Sequence, residues 1–551
     1  MKNILFALFT ILTIGSFGQS ELTSGYFNYH LTDRYEILSD SLTTDFFTGI
    51  KPFRRDAVAT FSEKIDPLSK SDIFNKEYML RDNILYTDKS TLTRKPILKY
   101  FYPTQSALAI VKEDRFKVMI NPVLGFMGAT DSEDTLGAYR NSRGFELRGN
   151  IGNKVGFYSY ALENQARFPN FLRDKYNKDF SVAGATLAKS YKNEARDFFN
   201  VAGYVTASPI EEISVQFGHD KNFIGNGYRS LILSDYATPN TFLKLNTKVW
   251  KLNYMNLYSV HTDYQGYVEK APTDRKYSAL HHLSLNLGKN LTIGLWENVI
   301  FDRQDSTERG GFEVDYLNPI IFYRAAEHGL NSSDNVMLGM DWKWNFLQRF
   351  SFYGQLAFDE FVKDDFFAQK PTFTNKWAYQ AGLKYINIAG VNNLDIQLEI
   401  NRIRPYMYQH SFRSQSWIHY NQSLAHPLGA NLREAVTIVR YQPIPRLNLT
   451  AMYSNSVQGI DTSNTTTNFG GDVTRSNRDQ RNLGEVVTFQ GIKNTVTNIS
   501  LDASYMLWHN LFLDAGVFIR NQNNNTLPAD RKNIIFRFGM RLNLAPTDYR
   551  Q

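Results

Sequence analysis

The chain of 551 residues is 14% aromatic and 21% charged, with a mean hydropathy of −0.38. So many aromatic residues in a chain that is polar on average indicate that apolar and polar residues are interleaved. The absence of Cys excludes disulfide scaffolds, thiolate metal sites, Cys nucleophiles and a lipid-modified N-terminal Cys. The net charge of +7 is spread along the chain and forms no basic block of the kind that binds nucleic acid.

Residues 1–18 have the pattern of a cleaved secretory signal peptide. Lys2 supplies the positive charge, residues 4–14 form a short apolar run, and Ser16 and Gly18 are the small residues that signal peptidase requires. The apolar run is shorter than the roughly 20 residues of a membrane-spanning helix. We therefore expect an exported protein that, if it enters a membrane, enters it as a closed β-barrel.

Residues 19–115 differ from the rest of the chain. Phe53, Ala57, Phe61 and Ile65 recur at every fourth position with charged residues between them, a spacing typical of an amphipathic helix. This part of the chain is predicted to form small helices or an extended arm before the barrel. It would either cap the periplasmic end of the barrel or remain a loosely held soluble arm.

A period of two is clearest near the end of the chain. Apolar residues alternate with Arg, Gly and Asn between residues 534 and 544, and residues 499–507 and 511–519 repeat the pattern. The apolar series is Ile534, Phe536, Phe538, Met540, Leu542 and Leu544. Such a strand places one face in an apolar medium and the other in water.

The connections between these segments alternate between short and long. Short turns are predicted at residues 152–153, 208–210, 288–290, 345–347, 390–392, 443–445 and 508–510. Long polar loops are predicted at residues 169–196, 219–241, 304–334, 408–432, 459–484 and 521–532. The alternation favours an all-β, antiparallel transmembrane barrel of about eighteen strands over residues 116–545. A large soluble β-sandwich or propeller is the alternative, which the charges within strands and the aromatic residues near strand ends disfavour.

No motif predicts an enzyme, a cofactor or a metal site. The Gly-rich segment at residues 225–230 lacks the Lys-Ser/Thr pair of a phosphate-binding loop and is interpreted as a tight external turn.

His281 and His282 are adjacent, so a strand directs them to opposite faces. His410, His419 and His426 have no metal-ligand spacing and are expected in a solvent-exposed loop. Residues 459–481 have few apolar side chains and are expected to be a mobile surface loop.

Two stretches resemble the outer-membrane capsule-assembly family known as Wzi, and more closely its RemB-like gliding-motility relatives from Bacteroidetes. They are residues 217–245, with the sequence FGHDKNFIGNGYRSLILSDYATPNTFLKL, and residues 311–361, which include Asn318-Pro319-Ile320. Weaker matches lie at residues 426–434 and 143–165. The resemblance implies an eighteen-stranded outer-membrane barrel with a helical periplasmic part and no enzyme activity. It also implies lectin-like binding of surface polysaccharide, or a role in gliding motility.

The expected partners are outer-membrane lipid and either surface polysaccharide or motility and adhesin components, with no nucleic acid. Hydrogen bonding, anion pairing and aromatic stacking with a sugar or acidic polymer are assigned to residues at two places. The candidates are His219, Asp220, Asn222, Tyr228, Arg229 and Asp235 in the loop after residue 218, and Arg402, Arg404 and Tyr406 at a strand end. A passive porin or a barrel subunit of a secretion complex remains the alternative function.

Overall fold

The fold is described from a computed structural model of the chain. The structure describes residues 18–23, 27–88, 101–152, 154–179, 181–264, 274–302, 311–322, 334–359, 363–368, 370–461, 466–480, 485–524, 526 and 530–546. The predicted signal peptide therefore lies almost entirely outside the described residues. Within the described ranges, no helix combines the length and the apolar character needed to cross a membrane.

Eighteen long antiparallel strands in the described part of the chain form one closed barrel. They are β3 (Phe116–Asp131), β4 (Asp134–Ile151), β5 (Val155–Arg167), β7 (Ala195–Ile210), β8 (Ile213–Asp220), β10 (Asn240–Val249), β11 (Leu252–Asp263), β12 (Asp274–Leu287), β13 (Leu291–Phe301), β14 (Asn335–Phe346), β15 (Phe350–Asp359), β16 (Lys376–Tyr385), β17 (Leu394–Ile403), β20 (Leu432–Ile444), β21 (Leu447–Ile460), β22 (Ile492–Trp508), β23 (Leu511–Asn524) and β24 (Arg531–Leu542). The last strand pairs with β3, from Ile535 opposite Asp131 to Leu542 opposite Leu124, and this pairing closes the ring. Short additional strands are β1 (Ile50–Lys51), β2 (Ala109–Glu113), β6 (Lys189–Tyr191), β9 (Phe223–Ile224), β18 (Ile418–His419) and β19 (Gln422–Ser423).

The period of two separates an apolar outer wall from a polar lumen, as predicted. On β24 the outward Phe536 and Phe538 are 62% and 64% exposed, whereas Arg537 between them points inward to Asp502 of β22. On β14 the inward Lys343 is fully buried in the lumen, and the outward Trp344 is exposed. The predicted membrane barrel of about eighteen strands is confirmed.

Short turns alternate with long connections around the ring, and some predicted boundaries shift. The turn expected at residues 208–210 lies at residues 211–212, because β7 continues through Ile210. The loop expected at residues 521–532 is shorter, since β23 runs to Asn524 and β24 begins at Arg531. The two rims of the barrel are called here the short-turn end and the long-loop end.

The N-terminal residues form a helical plug that fills the lumen at the short-turn end. Its helices are α1 (Asn28–Leu38), α2 (Arg55–Glu63) and α3 (Lys70–Asp82). They pack through a buried apolar cluster that includes Leu31, Val58 and Met79. The hydroxyl of Tyr78 donates to Asn510 in the β22–β23 turn at 2.7 Å, which places α3 at this rim. The helical interpretation of this segment is confirmed, and the segment lies inside the barrel.

The connection between β8 and β10 also folds into the barrel, so the expectation of an external turn at residues 225–230 is wrong. Its strand β9 pairs with β1 of the plug, and Ile224 and Leu231 are fully buried. Side chains from the walls β10–β20 join them in an apolar core that includes Trp296 and Trp417. This half of the lumen is a packed interior rather than a water-filled channel.

Two other predictions of solvent exposure are also wrong, because the residues concerned are buried by packing against other parts of the barrel. His410, His419 and His426 are buried, because the β17–β20 connection packs into the mouth of the barrel. The described part of the segment between β21 and β22 packs against this connection, and its residues Asn468, Phe469 and Asn477 are buried. The Asn468 side chain donates to the Gln409 side chain at 2.9 Å. Polar composition predicted exposure, but these polar groups are satisfied inside the fold.

Residues 311–322 of the β13–β14 connection lie against the outer wall and are called here the outer strap. It covers a polar row formed by Asn256, His281 and Glu297, which are cross-strand neighbours on β11, β12 and β13. His281 Nδ1 lies 2.6 Å from Asn256 Oδ1, and the Phe322 backbone N–H donates to Glu297 at 2.7 Å. His282 instead faces the lumen and contacts Asp341, which confirms that the two histidines point to opposite faces.

Helix α4 (Asn170–Asp179) packs at the long-loop end of the barrel, next to β23 and β24. Its residues Leu172 and Tyr176 form a buried apolar cluster with Phe518 and Ile535. The fifth described helix, α5 (Lys363–Phe367), lies in the β15–β16 connection.

Candidate functional site

The inward loop between β8 and β10 is held by carboxylates on the far wall of the lumen. Arg229 donates two hydrogen bonds to Glu434 of β20, at 2.9 and 2.6 Å. The backbone N–H groups of Tyr228 and Arg229 donate to Glu399 of β17 at 2.7 and 3.0 Å. Gly227 fits here because a Cβ would lie 2.5 Å from a Glu399 oxygen. The loop is therefore fixed by charge-assisted bonds in a buried site.

His426 completes this cluster from the β17–β20 connection. Its Nε2 lies 2.8 Å from Glu434 Oε2. Burial lowers the pKa of His426, even though the nearby Glu434 acts in the opposite direction. Arg229, whose guanidinium is always charged, is the partner that balances the Glu434 charge.

The plug is attached to the wall by a second group of buried charges. The Lys343 ammonium of β14 donates to Asp33 at 2.7 Å and to Glu36 at 2.5 Å, both on α1. Lys384 of β16 also donates to Asp33. Burial acts to raise the pKa of Asp33, but the Lys343 and Lys384 charges outweigh it and hold this pKa well below its usual value.

A cavity of about 480 Å³ remains between the plug, the inward loop and the opposite wall. Its volume lies within the roughly 300–1,000 Å³ typical of ligand sites. The wall is formed by strands β20–β24, β3 and β4, and the plug contributes Phe27, Tyr29 and His30. One half of the lumen is thus a packed core, and the other half contains a chamber, called here the lumen chamber.

The wall of the lumen chamber presents alternating charges and hydroxyl groups. Arg537 donates to Asp502 at 3.0 and 2.5 Å, and Arg541 donates to Asp514 at 2.7 Å. Ser500 and Ser504 of β22 and Ser454 of β21 lie on the same inner face. These pairs are only partly buried, so their polar atoms are accessible from the chamber.

Arg140, Arg440 and Lys51 of the chamber donate hydrogen bonds to groups other than carboxylates among the described residues. Arg440 of β20 donates to the carboxamide of Gln397 at 3.2 Å. Lys51 of β1 donates to the Gly225 carbonyl at 3.0 Å and lies 4.6 Å from the centre of the Phe223 ring. Burial lowers the pKa of Lys51 to about 7.

The structure separates the nine candidate residues into three groups. Tyr228, Arg229 and Asp235 line the lumen chamber. His219, Asp220 and Asn222 lie where β8 ends. The Nδ1 of His219 is 3.3 Å from the Thr241 hydroxyl, and Asn222 is buried beside Lys244.

Arg402, Arg404 and Tyr406 lie at the end of β17, away from the chamber. Arg402 is exposed on the outer face over the Trp377 ring. Arg404 is buried and donates to the Val486 carbonyl, and the Tyr406 hydroxyl donates to the Asn468 carbonyl at 2.9 Å. The described geometry gives Arg404 and Tyr406 structural contacts and brings neither to the inward loop.

The site residues predicted from the sequence do not include Arg440, Arg537, Arg541 or Lys51. The alternation on β24 correctly directs Arg537 and Arg541 into the lumen, and that pattern was the available signal. Nothing in the local sequence places Lys51 beside Gly225, because the two residues are 174 positions apart.

A closed barrel with an apolar outer wall, a polar interior and a helical plug defines this protein as an outer-membrane β-barrel. The family model of capsule assembly protein Wzi matches residues 144–533, and the chain belongs to this family. The more specific resemblance to RemB-like proteins of Bacteroidetes has no counterpart in these comparisons and stays a prediction. No curated protein matches the chain in sequence.

Among the solved structures similar to this chain are the following three, and the first of them supports the same fold. The Escherichia coli protein Wzi, a carbohydrate-binding outer-membrane barrel involved in group 1 capsule assembly, matches with a TM-score of 0.57 and 12% identity. The match covers 96% of this chain and all of that one. OprD from Pseudomonas aeruginosa matches 77% of this chain and 94% of its own with a TM-score of 0.42 and 11% identity. OccK8 of the same organism covers 77% of this chain and 97% of its own, with a TM-score of 0.41 and 10% identity.

Proposed function

We propose that this outer-membrane barrel binds polysaccharide exported to the cell surface and helps to retain it there. The observation that carries the proposal is the lumen chamber, which combines aromatic faces with guanidinium, carboxylate and hydroxyl groups in a barrel of the capsule-assembly family. Aromatic rings cover the CH faces of a sugar, and fork-shaped charged groups bind its hydroxyl and carboxylate groups. No enzymatic step is part of the proposal.

Within this proposal the nine candidate residues take different roles. Tyr228 and Asp235 line the chamber and are proposed to contact the saccharide, whereas Arg229 orients the inward loop through Glu434. His219, Asp220 and Arg402 are partly or fully exposed and are proposed to contribute at the long-loop rim. The buried Asn222, Arg404 and Tyr406 would support these contacts indirectly.

A role in gliding motility is the second candidate, based on the resemblance of residues 217–245 and 311–361 to RemB-like proteins. The motility role requires binding of adhesin or motility components, whereas the capsule role requires retention of polysaccharide. Both agree with a surface-exposed barrel.

A deletion of the gene, followed by assays of surface polysaccharide retention and colony spreading, distinguishes these functions. We expect loss of retention, which is restored by the intact gene. Unchanged retention with lost spreading would assign the protein to motility instead. No change in either property would contradict both proposals.

A further inference from the structure

The lumen chamber has an excess of positive charge among the described residues. Its lining contains eight Arg and Lys side chains and five Asp side chains. The cations are Arg34, Lys51, Arg140, Arg229, Lys384, Arg440, Arg537 and Arg541. The carboxylates are Asp33, Asp235, Asp395, Asp502 and Asp514.

Most of the carboxylates are already bound to cations of the lining. Asp502 and Asp514 pair with Arg537 and Arg541 on the wall. On the plug side, Arg34 pairs with Asp395, and Lys384 with Asp33. These contacts neutralise the carboxylates locally. Arg229 is balanced by Glu434, which is not part of the lining, so the remaining positive charge lies on Lys51, Arg140 and Arg440.

Arg440 is the cation of the lining that is best placed to bind an anionic ligand. It projects from the inner face of β20 into the chamber, is partly exposed there, and its hydrogen bond in the described structure goes to the neutral Gln397. A guanidinium has five N–H donors. One hydrogen bond to a carboxamide therefore leaves two N–H groups that can bind a carboxylate together. Lys51 adds a second cation to the same chamber from the plug side.

The remaining lining suits a sugar rather than a simple anion. Tyr29, Phe27 and Phe512 contribute ring faces, while Ser500 and Ser504 present hydroxyl groups. A site for an inorganic anion requires cations and N–H donors but no aromatic wall. Extended rows of hydroxyl and carboxamide groups match the repeated hydroxyls of a saccharide.

We propose that the lumen chamber is a binding site for an acidic saccharide, whose carboxylate is held by Arg440 and whose hydroxyls contact the β21–β24 wall. This inference rests on the proposed function and specifies its site and ligand class. It assigns the saccharide carboxylate to Arg440, a residue that was not among the candidates predicted from the sequence.

The test uses the full chain purified in detergent. The probe is surface polysaccharide from the same cells, shortened by partial acid hydrolysis and separated by anion exchange into acidic and neutral fractions. Arg440→Gln removes the guanidinium in the chamber. Arg433→Gln is the matched control, because Arg433 lies on the same strand but is exposed on the outer face.

We expect the acidic fraction to bind, and Arg440→Gln to weaken its binding by about tenfold or more, as for loss of a charge-assisted hydrogen bond. Arg433→Gln should bind like the unmodified protein. Chemical reduction of the saccharide carboxylates to alcohols should weaken binding to the level of Arg440→Gln.

Several results would overturn the inference. These are equal binding of the acidic and neutral fractions, unchanged binding by Arg440→Gln, or equal weakening by Arg433→Gln. Absence of binding to the acidic fraction would overturn it as well. The proposed function is tested separately, by retention of polysaccharide on cells. If retention depends on the gene but Arg440→Gln binds the acidic fraction normally, the proposed function stands and the chamber assignment fails.

Discussion

Arg229 and Glu434 form a bidentate ion pair deep in the barrel, although 205 residues separate them in the chain. Both side chains are almost fully buried, and the pair attaches the inward loop to the wall strand β20. Removing one partner of a buried pair leaves an uncompensated charge in a poorly solvated place.

The first prediction concerns this pair. Arg229→Met should destabilise the folded barrel by about 3–5 kcal/mol, because Glu434 would remain buried and charged. Thermal unfolding in detergent, followed by circular dichroism, measures the change. The double variant Arg229→Met/Glu434→Gln should recover part of the loss. If the double variant is as unstable as the single one, the ion pair does not account for the effect.

The second prediction concerns the plug. The double variant Asp33→Asn/Glu36→Gln leaves the buried Lys343 without a carboxylate and should loosen α1 from β14. The unmodified protein should show no stable single-channel conductance in planar bilayers, whereas the variant should show intermittent openings. Lys64→Gln, which removes an exposed ion pair with Asp45 within the plug, is the control. Stable conductance of the unmodified protein would support a porin instead.

The outer wall of this barrel was predictable because contact with lipid favours apolar side chains on the outward face of each strand. Most outward residues that face lipid are apolar, so the period of two on β22, β23 and β24 is visible without knowledge of their partners. Strand ends were less predictable, since β7 continues through Ile210 and β23 through Asn524, where the residues resemble those of turns and loops.

The interior was predicted poorly because its contacts join distant residues. The segment at residues 225–230 has the composition of an exposed turn, and only the fold supplies Glu399 and Glu434 as its partners. The same holds for His426, whose burial depends on the β17–β20 connection as a whole. Local composition reports the need for polar partners, but not whether water or protein supplies them.

The third prediction is a pH dependence of stability that involves Asp82. Burial acts to raise the pKa of this carboxyl, but Arg55 and Arg148 outweigh it and lower the pKa well below its usual value. The stabilisation is fully present above the unfolded-state pKa of about 4 and is lost as pH falls further toward the folded-state pKa. The stability difference between the unmodified protein and Asp82→Asn should therefore be constant from pH 7 to 5 and smaller at pH 3.

Thermal unfolding of both proteins at these three pH values measures this difference. A difference that grows below pH 4 would contradict the assignment, because protonation of the carboxyl should make the two proteins more alike.

The fourth prediction is a pH dependence of saccharide binding. The pKa of Lys51 is lowered to about 7 by burial, and Lys384, Asp33, Lys343 and Asp235 are the charged groups that act on it. Lys51 gains its charge as pH falls from 8 to 6, while saccharide carboxylates, with pKa values near 4, stay ionised. Affinity for the acidic fraction should therefore rise over this interval.

Lys51→Met removes the titrating group and serves as the comparison for this measurement. Its affinity should change little between pH 8 and 6. An equal pH dependence in both proteins would show that another group is responsible.

The fifth prediction concerns the outer strap, which the sequence presented as part of an external loop. The Tyr258 hydroxyl on β11 donates to the Leu317 carbonyl at 3.0 Å, and Val314, Leu317 and Ile320 are exposed on the side away from the wall. Without the strap, the Glu297 carboxyl group would face lipid, at a cost below the roughly 2–4 kcal/mol of a Lys or Arg near the middle of the bilayer. The strap is therefore expected to lie within the apolar band.

Because the chain contains no Cys, a single introduced Cys gives a unique site for a nitroxide spin label. In lipid vesicles, a label at Leu317→Cys should be more accessible to oxygen than to a water-soluble nickel complex, as should one at Phe538→Cys on the outer wall. A label at Trp250→Cys, in the exposed turn between β10 and β11, should show the reverse. If the label at Leu317→Cys behaves like the one at Trp250→Cys, the strap lies in water, and the polar row on β11–β13 needs another cover.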